Sequence, residues 1–145
     1  MIVGASDCKL SGDLEACLIA YALGSCVAVA LHDPETRLAG LLHFLLPEAA
    51  ISPERAERNP YTFGDAGIAR LLEKICAMGA NRKRLTATIA GGARLVEASD
   101  IGALNSIAAR QALRCAGIAI ASENLGGTTA RTLSLEVATG RAAIR

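Results

Sequence analysis

Apolar and polar positions along the chain follow two periods. Residues 27–32 (Val-Ala-Val-Ala-Leu-His) and 38–46 (Leu-Ala-Gly-Leu-Leu-His-Phe-Leu-Leu) are short apolar runs bounded by turn residues, which is the pattern of strands. Residues 17–21 read as a further buried strand, after an irregular or short-strand lead-in over 1–16 with Ser11-Gly12-Asp13 as a turn. Residues 47–60 are polar and proline-bearing and read as an exposed excursion. From about 65 to 78 the period changes: Ile68, Leu71, Leu72, Ile75 and Cys76 fall on one helical stripe, and Gly79 stops it. Thr62 and Asp65 have the spacing of a capping box. Residues 85–90 alternate as a strand that Gly91-Gly92-Ala93 ends. Ser99 is expected to cap a second helix with Ile101, Leu104, Ile107, Ala108 and Ala112 as its stripe. Strands at 117–121, 131–138 and 141–144 follow, with a turn at 124–129. The pattern predicts one α+β domain over residues 1–145, without βαβ regularity.

The two apolar runs around Asp33-Pro34-Glu35-Thr36 form the best-defined pair. A four-residue loop over 33–36 opposes His32 to Arg37 and places Cys26 directly across from His43. Opposed residues of an antiparallel pair share a face, so this register brings a thiol to an imidazole. A slip of one residue moves His43 to the other face. His32, beside the turn, reads as a surface residue.

Composition narrows the function classes. Net charge is +1 and aromatics are 3% of the chain, with no Trp. Neither a bulk electrostatic case for nucleic acid nor stacking platforms for single strands exist. Arg82-Lys83-Arg84 is expected to be a solvated turn. No apolar run approaches the roughly 20 residues of a membrane span. Residues 1–7 lack the charged and apolar regions of a signal peptide, so a cytoplasmic protein is expected. Five cysteines, an odd number, argue against a disulfide framework. No Cys-x-x-Cys pair exists, and no metal or other cofactor is expected. With no apolar surface stripe left over, a monomer is expected.

Cys26 and His43 then carry the chemistry. A thiol attacks as thiolate, and a neighbouring imidazole helps ionise it and returns the proton to a leaving group. Backbone N–H groups around Gly24-Ser25-Cys26 are candidate oxyanion donors. These parts suit hydrolysis of an amide or ester through a thioester. The same two residues also fit a binding module in which both merely pack. Gly91-Gly92 lacks phosphate-loop spacing and reads first as a close backbone approach.

Residues 18–29, Leu-Ile-Ala-Tyr-Ala-Leu-Gly-Ser-Cys-Val-Ala-Val, resemble the signature of the CheD family of chemoreceptor glutamine deamidases. His43-Phe44-Leu45-Leu46-Pro47, residues 61–66, Gly79-Ala80, Gly91-Gly92-Ala93, Ile101-Gly102 with Asn105, and Leu125-Gly126-Gly127 with Arg131 extend the resemblance over nearly the whole chain. It implies deamidation of receptor glutamines to glutamates, with Cys26 as nucleophile and His43 as general base. It implies a sandwich of mixed β-sheets flanked by helices, as in the cytotoxic necrotising toxins. It also implies two partners: the helical cytoplasmic region of a chemoreceptor, and a CheC-type phosphatase. The family commonly has Thr six residues before the nucleophile and Gly four before it; here those positions are Ala20 and Ala22. The missing hydroxyl leaves a second possibility, a CheD-like regulatory binding protein with little deamidase activity.

Overall fold

The computed structural model describes all of residues 1–145. Three layers stack on one another. The middle layer is a five-stranded sheet in the order β1 (Asp7–Ser11), β4 (Leu38–Phe44), β3 (Val27–Asp33), β5 (Thr86–Gly91), β6 (Ala119–Leu125). On one side lies a three-stranded antiparallel sheet of β2 (Cys17–Leu23), β7 (Arg131–Glu136) and β8 (Ala142–Ile144). On the other lie helices α2 (Gly64–Ala77) and α3 (Ile101–Cys115), while the short α1 (Pro53–Arg58) sits in the polar excursion. The expected α+β sandwich flanked by helices is what forms. The mixed sheet is the larger one, through the parallel pairing of β5 with β6.

Strand β3 organises the packing. All seven of its residues are buried, because it is covered on both faces. Val27, Val29 and Leu31 face the helices, with Leu42, Phe44, Ile68, Leu71 and Ile75. Ala28 and Ala30 face the small sheet, with Leu18, Leu41, Leu133 and Leu135. The period of two along the strand thus divides one apolar run between two cores.

The β3–β4 hairpin forms with its loop one residue later than expected. Asp33 pairs with Leu38, and residues 34–37 make the loop. Asp33 accepts from the N–H groups of Glu35 and Thr36 and ion-pairs with Arg84 at 3.0 Å, so it is held as the last strand residue. Arg37 closes the loop in the left-handed region at φ +57°. His43 therefore opposes Ala28 and not Cys26. The register moves by two, which keeps both residues on their expected face.

Other expectations change for identifiable reasons. His32 is buried, its Nε2 2.9 Å from the Val137 carbonyl, because β7 runs on over that end of β3. Arg84 is no free surface cation, since it is bound to Asp33. Strand β2 is buried on one face only, with Tyr21 exposed. The Thr62–Asp65 capping box does not form: the Thr62 hydroxyl donates to Ser6 Oγ, and Asp65 accepts from Ala49 N. Phe63 occupies the N-cap of α2 without a side-chain cap. Ser99 does accept from Ile101 N, although Asp100 is the backbone N-cap of α3.

One βαβ unit exists, β5–α3–β6, where none was expected. Its last strand is an exposed edge with a polar sequence, so the buried-strand signal is missing. Helix α3 also turns a different face inward. Leu104 and Ile107 are exposed, while Gly102, Asn105, Ser106, Ala109 and Leu113 are buried. The reason is close approach: a Cβ at Gly102 would overlap the carbonyl oxygens of Gly92 and Ala93. Only a face of small residues seats the helix against that backbone.

Candidate active site

The turn between β2 and β3 is built by backbone ties. Gly24 and Cys26 use their carbonyls to accept from Ala93 N at 2.8 Å and Gly92 N at 2.9 Å. Gly91, at φ +119°, lies so close that a Cβ there would overlap the Cys26 carbonyl oxygen. Gly91-Gly92-Ala93 is thus the close backbone approach read from its sequence. Upstream, Ala22 takes φ +55° where the β2–β7 register shifts between Ala20 and Leu23. That conformation favours glycine, which accounts for the glycine expected at this position.

Cys26 immediately precedes the ladder and is half-buried, packed on the face between the two sheets. His43 is on the same face of β4, 5% exposed, beside Leu41 and opposite Ala28. The two are diagonal neighbours, a relation that separates backbones by about 7–8 Å and lies within reach of long side chains. Burial pushes the Cys26 thiol up from its ordinary value, opposed by its own backbone N–H. Burial pushes the His43 imidazole down, opposed by its hydrogen bond to Val3. The resting pair is therefore driven toward neutral thiol and neutral imidazole, not toward a standing ion pair.

His43 Nδ1 lies 3.2 Å from the carbonyl oxygen of Val3. A carbonyl only accepts, so Nδ1 carries the proton and Nε2 the lone pair. Val3 is anchored by its N–H to the Ile19 carbonyl at 2.8 Å, and Ser6 N donates to the His43 carbonyl at 2.8 Å. The lead-in segment thus runs between β2 and β4 and orients the imidazole. Ala20, fully buried in the intersheet core, offers nothing to it.

Asn105 is the second residue that the sequence reading left without a role. It is fully buried, and its Nδ2 donates to the carbonyls of Ser25 and Leu45, both at 2.9 Å. Its Oδ1 has no partner. An orphaned buried oxygen costs about 1–3 kcal/mol, so an amide is held here at a cost that a leucine would not carry. The sequence signal is a polar residue on the inward side of α3, hidden because the apolar stripe of Leu104 and Ile107 lies on the outward side.

An open cleft of about 440 Å³ lies beyond Gly92, lined by Arg94, Ser106, Ile107, Arg110 and Gly127 among others. Arg131 ties down the adjoining turn, donating to the carbonyls of Asn124, Gly126 and Thr129. No group of three or more His, Cys, Asp or Glu side chains is placed to hold a metal ion.

The family model described as CheD chemotactic sensory transduction matches residues 45–145. That stretch begins after both Cys26 and His43. Curated relatives extend across them. A probable chemoreceptor glutamine deamidase CheD of Solibacter usitatus is 45% identical, over 97% of this chain and 85% of its own length. A second from Anaeromyxobacter dehalogenans is 39% identical, over 99% and 92%. A third from Pyrococcus horikoshii is 40% identical, over 86% and 79%.

Proposed function

We propose that this chain, which belongs to the CheD family, hydrolyses particular glutamine side chains on the cytoplasmic helices of chemoreceptors to glutamate. The observation that supports this most directly is local. Cys26 and His43 share the intersheet face at the end of β3, and Val3 fixes the imidazole with Nε2 free. A protein-glutamine glutaminase needs those two groups, oxyanion donors and water.

The neutral resting pair favours concerted proton removal. As the Cys26 sulfur attacks the carboxamide carbon, His43 Nε2 takes the thiol proton, and the C=O electron pair moves to oxygen. Collapse of the tetrahedral species breaks the C–N bond, and the imidazolium delivers its proton to the departing nitrogen as ammonia. Water then loses a proton to His43 and attacks the thioester. The C–S bond breaks, the carboxylic acid forms, and the thiol is restored. Val3 does for the imidazole what the third member of a triad does: it fixes tautomer and orientation.

The protein acts in the cytoplasm under this reading, as a monomer, with a CheC-type phosphatase as second partner. No helix is long and apolar enough to cross a membrane. A regulatory binder with little activity draws support from Ala20 and from the raised thiol. Incubation with receptor cytoplasmic fragments separates the two. Deamidation adds about 1 Da per converted glutamine and is lost in Cys26→Ala. A fragment complex that forms equally with Cys26→Ala, without any mass change in the wild type, selects the binder.

A further inference from the structure

We propose that Asn105 is a positioning residue that points the Cys26 N–H at the oxygen of the bound carboxamide. The inference rests on reading Cys26 as the nucleophile.

The β3–β4 ladder ends at Val27 and Phe44. Beyond it the strands part, and the Nδ2 of Asn105 spans the gap, holding Ser25 O and Leu45 O. Both peptides that follow these carbonyls are trans. In a trans peptide the N–H points opposite to the C=O, so fixing one fixes the other. With the Ser25 carbonyl drawn toward α3, the Cys26 N–H is turned away from α3. The Leu45 carbonyl is held in the same way, but the N–H of its peptide, on Leu46, already donates to Thr62 O at 2.9 Å. The Cys26 N–H donates to no carbonyl or side-chain oxygen. One amide group thus holds two peptides, and only the one at the nucleophile keeps a free donor.

That donor suits the developing oxyanion. As sulfur bonds to carbon, the carboxamide oxygen gains charge next to the attacking residue, where its N–H can donate to it. The unpaired Oδ1 is explained as well. An amide is the neutral side chain whose two donors reach two carbonyls, and its oxygen is left over.

The test compares Asn105→Ala and Asn105→Leu with the wild type on a receptor fragment. The expected result is a fall in kcat of about 10- to 100-fold with little change in KM, since the donor is misaimed and not deleted. Alkylation of Cys26 by iodoacetamide, which builds no oxyanion, should keep its rate. Leu113→Ala, which weakens the same helix from its buried end, should lose stability but keep kcat. Unchanged kcat in both Asn105 variants overturns the proposal, as does an equal loss in Leu113→Ala or a parallel loss of alkylation. Should the variants not fold, the wild type still decides. A peptide with an aldehyde in place of the carboxamide adds the thiol across its C=O, and the Cys26 amide proton should move downfield. No movement refutes the role. Deamidation that survives Cys26→Ala removes the nucleophile reading instead.

Discussion

His43 is oriented by the main chain of Val3: the Nδ1 proton lies on a carbonyl oxygen 3.2 Å away, on a segment forty residues upstream. A backbone acceptor cannot be removed by changing a side chain, so its role is separated by two changes. Val3→Ala keeps the carbonyl and trims the buried side chain; it should cost about 1–3 kcal/mol in urea melts and leave kcat in place. Removal of residues 1–3 takes the carbonyl away and should lower kcat about ten-fold or more, as loss of an orienting group does. Equal kcat in the two variants would show that Val3 only packs.

The pH profile follows from burial of both reacting groups. His43 is pushed below its ordinary 6.5, so its base form persists to lower pH, and the acid limb of kcat/KM should fall below that value. Cys26 is pushed above 9.0, so alkylation should climb through the alkaline range without a plateau near neutrality. Stability takes the matching signs. As pH falls through 6.5 the unfolded chain binds a proton at His43 before the folded one does, so stability declines on that side. As pH rises through 9.0 the unfolded thiol ionises first, and stability declines there too. Urea melts of His43→Gln should show a flatter acid side.

Ala22 sits in the left-handed region at φ +55°. An L-residue there is strained by roughly 1–2 kcal/mol, partly offset in glycine by its freer unfolded chain. Ala22→Gly should therefore raise the midpoint of thermal unfolding by a few degrees, for a gain of about 0.5–1 kcal/mol. A lower midpoint would mean that the methyl group packs.

Gly91→Ala should do the reverse. Its φ of +119° and the Cys26 carbonyl beneath it leave no room for a Cβ. A loss of about 2–4 kcal/mol is expected, together with inactivity, because relief of the overlap moves Cys26. Gly79→Ala, at φ +120° in open space, is the control for backbone strain alone and should keep activity.

Much of the site was legible because sheet geometry forgives an even error. The loop was placed one residue early, at 33–36 in place of 34–37, yet Cys26 and His43 stayed on one face. Asp33 is held in the strand by its turn bonds to Glu35 and Thr36 together with the Asp33–Arg84 pair, and the latter joins residues 51 apart, which no local pattern carries. Helix α3 departs from its apolar stripe for a different reason. Its inward face is small and polar because it seats on Gly91–Ala93 and holds two carbonyls, so hydrophobic periodicity named Leu104 and Ile107 as core. Val3 was invisible, since its contribution is a carbonyl that every residue has.

The pairing of β2 with β7 sets Leu18 against Leu135 and Cys17 against Glu136. Apart from the short parallel bridge that residues 1–3 make to Ile19, the strand that leads into Cys26 therefore gains its sheet partner only when the last part of the chain exists. Non-local pairing of this kind delays folding, since the intervening loop must close before any contact repays it. On the ribosome the middle sheet and its helices can collapse first, and the small sheet docks only after residue 135 has emerged. Activity is thus the last property the nascent protein acquires: a chain truncated before β7 keeps the ties of Gly24, Ser25 and Cys26 to Ala93, Asn105 and Gly92 but lacks the strand that closes the intersheet face over the thiol.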